Sequence, residues 1–212
     1  MRQLARNVLR SRRRGALIDT YLRTHEVRRL QLGAGDHPHA DWLNTDLHDY
    51  GRGDELVYLD VRKRFPLPDA SFDVIYSEHM IEHLTYAEGQ RCLRECLRVL
   101  RPGGRIRIAT PSLQRLAALY DGGETADRYV HWAVRTLQPE VDAPLPGVVI
   151  NNFFRSWGHR FVYDPQTLRH ALGAAGFVGI EEVPLGEFER HLAEVPEFNE
   201  LETFVLEAQR AR

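Results

Sequence analysis

The 212-residue sequence predicts an α/β fold, an open and mainly parallel sheet with helices on both faces. Three observations carry that prediction. Short apolar segments alternate with helix-period segments from residue 27 onward. The length supplies one full hydrophobic core and is too short for two ordinary domains. Hydrophobic residues make up 43% of the chain and charged residues 27%, near the globular norm, which excludes disorder of the whole chain.

The elements follow in order. Residues 1–26 read as a basic helical segment leading into a domain over 27–212. A short apolar strand over 27–32 runs into Gly33-Ala34-Gly35 and then Asp36-His37-Pro38. A second strand over 42–47 ends near Asp46, a third over 56–61 carries Asp60 at its carboxyl end, and a fourth covers 72–77. The spacing of Met80, Ile81, Leu84, Cys92, Leu93, Cys96, Leu97 and Leu100 predicts a helix over 77–100. Pro102-Gly103-Gly104 then turns the chain into a strand over 105–110, where Ile106 and Ile108 alternate with arginines. A helix over 165–175 is stopped by Gly176, and strands over 177–183 and 201–208 close the chain. Between 111 and 164 the alternation breaks, and this stretch holds eight of the chain's twenty aromatic residues. It is expected to be an insertion that caps a substrate pocket.

The net charge of -2 is a cancellation. Residues 1–29 hold nine arginines against Asp19 and Glu26, and the rest of the chain is acidic. Lys63 is the only lysine, so arginine is the general basic residue here, and its clusters are discounted as evidence for nucleic acid. The acidic body also disfavours a nucleic-acid substrate. The plain reading of Arg2, Arg6, Arg10, Arg12, Arg13 and Arg14 is a solvated helix face; the others are phosphate or anionic-lipid contact, an organellar transit peptide, an acidic partner, or a homodimer contact. No apolar signal-peptide core follows them, and no stretch approaches the ~18 apolar residues of a membrane span. Cys92 and Cys96, four apart on one helix face, read as packed free thiols, and a cytoplasmic location is expected.

In an open α/β sheet, ligands bind beyond the carboxyl ends of the strands, where strand order reverses. The residues at those ends are Gly33-Ala34-Gly35, Asp46, Asp60 and Ser77-Glu78-His79. Glycines admit a ligand close to the backbone, and an acid after the next strand suits a pair of ribose hydroxyls, so a nucleoside-containing ligand is expected. The dinucleotide fingerprint is not met, because Pro38 stands at the third glycine place and Asp46 follows Gly35 by 11 residues rather than roughly 20. A nicotinamide enzyme is disfavoured accordingly.

The ordered series Leu30-Gln31-Leu32-Gly33-Ala34-Gly35, Leu59-Asp60-Val61, Phe65-Pro66-Leu67-Pro68-Asp69-Ala70-Ser71-Phe72-Asp73, Glu82-His83-Leu84 and Arg98-Val99-Leu100-Arg101-Pro102-Gly103-Gly104 resembles the successive motifs of class I S-adenosylmethionine-dependent methyltransferases. The resemblance covers 28–110, and Gly176-Phe177 with the last two strands resembles that family's carboxyl end. It implies a Rossmann-like seven-stranded sheet, mostly parallel with one antiparallel strand, and S-adenosyl-L-methionine as cofactor. It further implies that Gly33, Ala34 and Gly35 wrap the methionine part, Asp46 and the adjoining Leu47 hold the ribose, Asp60 and Val61 face the adenine, and Ser77 and Glu78 lie beside the methyl group. One departure is plain: about nine residues, Gly33 to Asp41, link the first two strands, where a crossover usually takes a dozen or more. The first helix must be a single turn or a loop, as in a subgroup of bacterial methyltransferases that this pairing resembles.

The histidines carry the remaining chemistry. His79-Met80-Ile81-Glu82-His83 fits the H-x-x-E-H zinc pattern, with Glu88 or Glu95 as the third ligand, which would make a zinc-dependent hydrolase. Within the methyltransferase reading no metal is assigned. His79 is the expected general base and His159 the second candidate, the alternative for His159 being a hinge bonded to Asp164. His83 is expected one turn deeper, where a structural role is its main reading, and with Trp132, Phe153, Trp157 and Tyr163 it makes the candidate substrate-pocket set, core packing being the alternative for the aromatic residues. The expected function is methylation of a small molecule, with oxygen the preferred acceptor atom because a histidine is at hand. A non-catalytic, methyltransferase-like binding subunit is the other alternative.

Overall fold

The computed structural model describes residues 2–186 and 196–212, with the side chains of 2–8 and 196–197 outside the description. A single seven-stranded sheet runs in the order β3-β2-β1-β4-β5-β7-β6. The strands are β1 (Arg29–Leu32), β2 (Leu43–Asp46), β3 (Val57–Tyr58), β4 (Phe72–Glu78), β5 (Leu100–Pro111), β6 (Phe177–Val183) and β7 (Thr203–Arg210). β1 to β5 pair in parallel, and β7 is antiparallel to both neighbours. The helices are α1 (Arg2–Thr24), α2 (Tyr86–Val99), α3 (Leu113–Ala118), α4 (Glu124–Leu137), α5 (Pro146–Arg155), α6 (Pro165–Ala175) and α7 (Pro196–Glu202). The strands fall within a few residues of their expected places, and β6 matches over its full length.

Strand order reverses between β1 and β4, so the crevice at their carboxyl ends is where this topology binds ligands. No helix joins β1 to β2. The loop is instead held from inside: His39 N–H donates to Asn44 Oδ1 (3.0 Å) and Gln31 Oε1 (3.2 Å), and Asn44 Nδ2 donates to the His39 carbonyl (2.9 Å). The rings of His39, Trp42 and Tyr76 pack beside it.

The helix expected over 77–100 divides in three. β4 extends to Glu78, a 3-10 turn covers Ile81–His83, and α2 starts only at Tyr86. The physical reason is a capping box: Thr85 accepts from the Glu88 N–H (3.3 Å) while the Glu88 carboxylate accepts from the Thr85 N–H (2.8 Å), fixing the first turn there. Cys92 and Cys96 are free, buried thiols. From α2, Arg98 donates to the Phe65 and Leu67 carbonyls (3.0 and 2.8 Å) and to Asp69 (2.6 Å), and Glu95 accepts from the Phe65 N–H (2.8 Å). Two of the quoted motifs are thereby pinned together. Asp164 caps α6 and Gly176 ends it in the left-handed conformation.

Among the described residues, two apolar cores result. The main one lies around the sheet and includes Leu30, Leu32, Phe72 and Ile106. Ile18 and Tyr21 of α1 are part of it, with the Tyr21 hydroxyl donating to the Arg29 carbonyl (2.9 Å). Arg10 is no solvated arginine: its guanidinium donates to the carbonyls of Leu47 (3.1 Å), His48 (3.0 Å) and Leu56 (3.1 Å), tying α1 to the ends of β2 and β3. The second core joins Leu116, Tyr129, Val130, Val149 and Phe153 of the 111–164 stretch to Phe198 of α7. No described helix is long and apolar enough to cross a membrane.

Candidate active site

A cavity of about 560 Å³ opens at the carboxyl ends of β1, β2 and β4, within the range of small-molecule sites. Its walls include Gly33, Ala34, Gly35, Asp46, Leu47, Asp60, Val61, Glu78, His79, His83 and Trp157. Eleven residues singled out from the sequence are thus brought to one place.

The glycine loop has a backbone reason. Gly33 has φ +68°, and a Cβ there would lie 2.7 Å from Met80 Cβ and 2.5 Å from its Cγ, too close for any side chain. The Gly33 and Ala34 N–H groups donate to the Thr45 carbonyl (3.0 and 3.1 Å), which holds the loop over β2. Gly35, also at positive φ, has nothing within 4 Å of its missing Cβ, so its backbone faces open space. Asp46, 8% exposed, accepts from the Gly35 N–H (3.0 Å) and the His48 N–H (2.8 Å). Each carboxylate oxygen has one backbone donor and a second acceptor direction.

Asp60 is equally buried and takes a two-pronged hydrogen bond from Arg62, Nε to Oδ1 at 2.8 Å and Nη2 to Oδ2 at 3.0 Å. This pairing holds the Asp60 carboxyl below its ordinary range. Arg62 lines the cavity and was missed from the sequence, as were Gln31, His37, His48, Tyr50, Leu59, Met80 and Leu84. Arg62, two residues past the strand-end acid, was the readable signal. The others belong to loops whose path only the fold reveals.

His79 stands where β4 ends. It adopts φ +43°, an uncommon conformation for a residue with a side chain, and its N–H donates to the Ala109 carbonyl (3.0 Å). Its Nε2 lies 3.0 Å from Thr203 Oγ1 and its Nδ1 3.7 Å from Glu82 Oε1. Glu82 is fully buried and accepts from the Thr110 hydroxyl (3.0 Å) through Oε2; burial pushes its pKa up to about 7. His83 borders the cavity, and its ring stands edge-on to that of His159, centroids 5.0 Å apart. Burial lowers the pKa of both imidazoles.

Five expected site residues lie off the cavity wall. Ser77 is buried inside the sheet, paired with Leu32 and Ile108. Tyr163 is fully buried in the main core, its hydroxyl seated over Gly89 and its ring against Phe161. Phe153 belongs to the second core, and Trp132 packs on Tyr129 and Phe198. Aromatic side chains here fill cores before they line pockets. His159 sits behind His83; its Nδ1 donates to the Phe153 carbonyl (2.7 Å), not to Asp164, which caps α6. The expected zinc face of His79, Glu82 and His83 is corrected too, because a strand end and a 3-10 turn replace the helix. Glu88 and Glu95 are also engaged, in the α2 cap with Arg160 and with Arg98 and Phe65 N–H.

Residues 31–108 match the methyltransferase domain family model. A probable S-adenosylmethionine-dependent methyltransferase of Mycolicibacterium smegmatis is 49% identical over 72 residues, 28% of this chain and 27% of that protein. A ubiquinone/menaquinone biosynthesis C-methyltransferase of Azotobacter vinelandii is 32% identical over 130 residues, 58% of this chain and 44% of that one. The chain thus spans from about a quarter to under half of these relatives' length. Among solved structures, a SAM-dependent methyltransferase from Archaeoglobus fulgidus superposes with a TM-score of 0.55 at 18% identity, covering 96% of this chain and 94% of that one. Sheet order, antiparallel β7 and the matched segment agree: residues 31–108 are similar to the methyltransferase domain, and the chain has the fold of an S-adenosylmethionine-dependent methyltransferase.

Proposed function

We propose that the protein transfers the methyl group of S-adenosyl-L-methionine to a small-molecule acceptor, with oxygen the preferred acceptor atom. The observation that carries this reading is the convergence, on one cavity at the switch point of the sheet, of the Gly33–Gly35 backbone, Asp46 and Asp60. These residues fit the cofactor chemically. Gly35 leaves room against the backbone, Asp46 keeps an acceptor direction on each oxygen for vicinal hydroxyls, and Asp60 with Val61 closes the far wall for the base. Glu78 lies on the β4 side, and Leu47 adds apolar contact.

The bound cofactor supplies a methyl group on a positively charged sulfur. The chain's own part is to align the acceptor, exclude water and take a proton from it. His79 is the residue proposed for the proton, because it reaches the cavity from a fixed backbone position and is backed by Thr203 and Glu82. Trp157, half exposed at the cavity rim, and the helices of 111–164 are proposed as the cover over the acceptor. The cysteines' reduced state is in keeping with an expected cytoplasmic setting.

Incubation of the purified protein with methyl-labelled cofactor and fractionated small-molecule extracts tests the proposal. A labelled product with a new methoxy group supports it; label on carbon or nitrogen overturns the oxygen preference, and label only in protein or nucleic acid overturns the small-molecule acceptor. His79→Asn is expected to lower turnover roughly 100-fold or more and to remove the acidic limb of the pH profile while leaving cofactor affinity intact. A profile identical to that of the parent protein contradicts the role.

A further inference from the structure

Behind the cofactor wall three side chains from distant parts of the chain converge. Glu82 and His83 come from the 3-10 turn after β4, and His159 from the end of the 111–164 stretch. One ligand atom of each lies within 4.8 Å of the other two. The Glu82 carboxyl is fully buried, and its Oε1, with His79 Nδ1 3.7 Å away, makes no hydrogen bond. A buried carboxylate oxygen left without a donor costs free energy unless a cation or proton meets it. His159 is prepared in the way metal-binding histidines are: its Nδ1–H is committed to the Phe153 carbonyl, which fixes the tautomer and leaves Nε2 as the ring nitrogen with a lone pair.

We propose that Glu82, His83 and His159 form a binding site for a divalent first-row transition ion of the zinc type, with its open coordination positions toward the cavity that His83 and Trp157 border. Two imidazoles and one carboxylate suit such an ion better than magnesium or calcium, which favour all-oxygen sets. Bonds of about 2.1 Å place ligand atoms roughly 3 to 3.5 Å apart, so closure on an ion draws the three together by up to about 1.5 Å. An ion there joins the sheet to the 111–164 stretch. If the proposed function holds, the open positions present a Lewis acid to an oxygen of the acceptor, and an acceptor with two neighbouring oxygens is the class it favours.

The test is metal binding itself, independent of turnover. Protein stripped with a chelator and dialysed is titrated with Zn²⁺ against a chromophoric competitor, and with Co²⁺ followed by visible absorption. One tightly held equivalent and Co²⁺ bands with nitrogen ligation are expected. His159→Ala and His83→Ala should each weaken Zn²⁺ binding by more than the roughly 10- to 100-fold typical of losing an outer partner, while His170→Ala, an exposed histidine on α6, leaves it unchanged. S-adenosylhomocysteine binding by His159→Ala reports that the variant is folded. No retained equivalent in the parent protein, or Zn²⁺ binding that survives His159→Ala undiminished, overturns the site. Metal binding without S-adenosylhomocysteine binding overturns the proposed function and leaves the metal site standing.

Discussion

The sheet half of the molecule and the 111–164 stretch are held together by different means. In the sheet half, the cavity wall is fixed through backbone groups at one end of each bond: Gly33 and Ala34 N–H on the Thr45 carbonyl, Gly35 N–H on Asp46, and three strand-end carbonyls on Arg10. In the other half, α4, α5 and α7 are joined through side chains, a separate apolar core and a short hydrogen bond from the Tyr129 hydroxyl to Glu202 (2.5 Å). The lesson is mechanical. A wall tied to backbone groups at every bond has less freedom to rearrange, whereas a region joined through side chains can loosen and re-form more readily.

Substitutions that attack each half separately break or sharpen this contrast. The largest effect is expected from Gly33→Ala, which meets both the positive φ and the Met80 contact; a loss of about 3 kcal/mol of stability and of cofactor affinity is predicted, read by denaturant unfolding and ligand titration. Full retention of both would mean that the loop is not rigid. Arg10→Ala removes one guanidinium from three carbonyls and should cost about 2 kcal/mol of global stability. Loss of helicity confined to α1, with the domain's unfolding midpoint unmoved, would show that α1 is not integral to the sheet half.

The second core, where α7 meets α4, should instead respond to pH. Burial raises the Glu202 pKa from 4.5 to about 6, with Tyr129 opposing the shift. A carboxyl whose folded value is raised contributes stability that is complete below about 4.5 and lost as pH rises through about 6. The loss is on the order of 2 kcal/mol. Amide exchange in α4 and α7 should therefore quicken between those values, and Glu202→Gln should flatten the dependence. An unchanged dependence in that variant would place the titrating group elsewhere.

How much of this was legible in the sequence follows from the same contrast. Gly33, Asp46 and Asp60 are found by local rules, since each sits where a short strand ends and the topology sends ligands to strand ends. The start of α2 was equally local but hidden: Met80, Ile81 and Leu84 continue the helical apolar spacing, and only the Thr85–Glu88 box marks the true beginning. The 111–164 stretch resisted reading because aromatic residues carry no signal that separates core from pocket. Tyr163 fills the space over Gly89, Phe153 the second core, and Trp157 alone of that set reaches the cavity. The meeting of His83 with His159, 76 positions apart, has no sequence signature.

The central claim is that the strand-end cavity holds the nucleoside of S-adenosylmethionine on Asp46, and calorimetric titration with S-adenosylhomocysteine addresses it most directly. The parent protein should bind one equivalent with micromolar affinity, and Asp46→Ala should bind roughly 10- to 100-fold more weakly, the worth of hydrogen bonds to a charged group. No heat of binding by the parent protein at millimolar ligand, or equal affinity in Asp46→Ala, would contradict it.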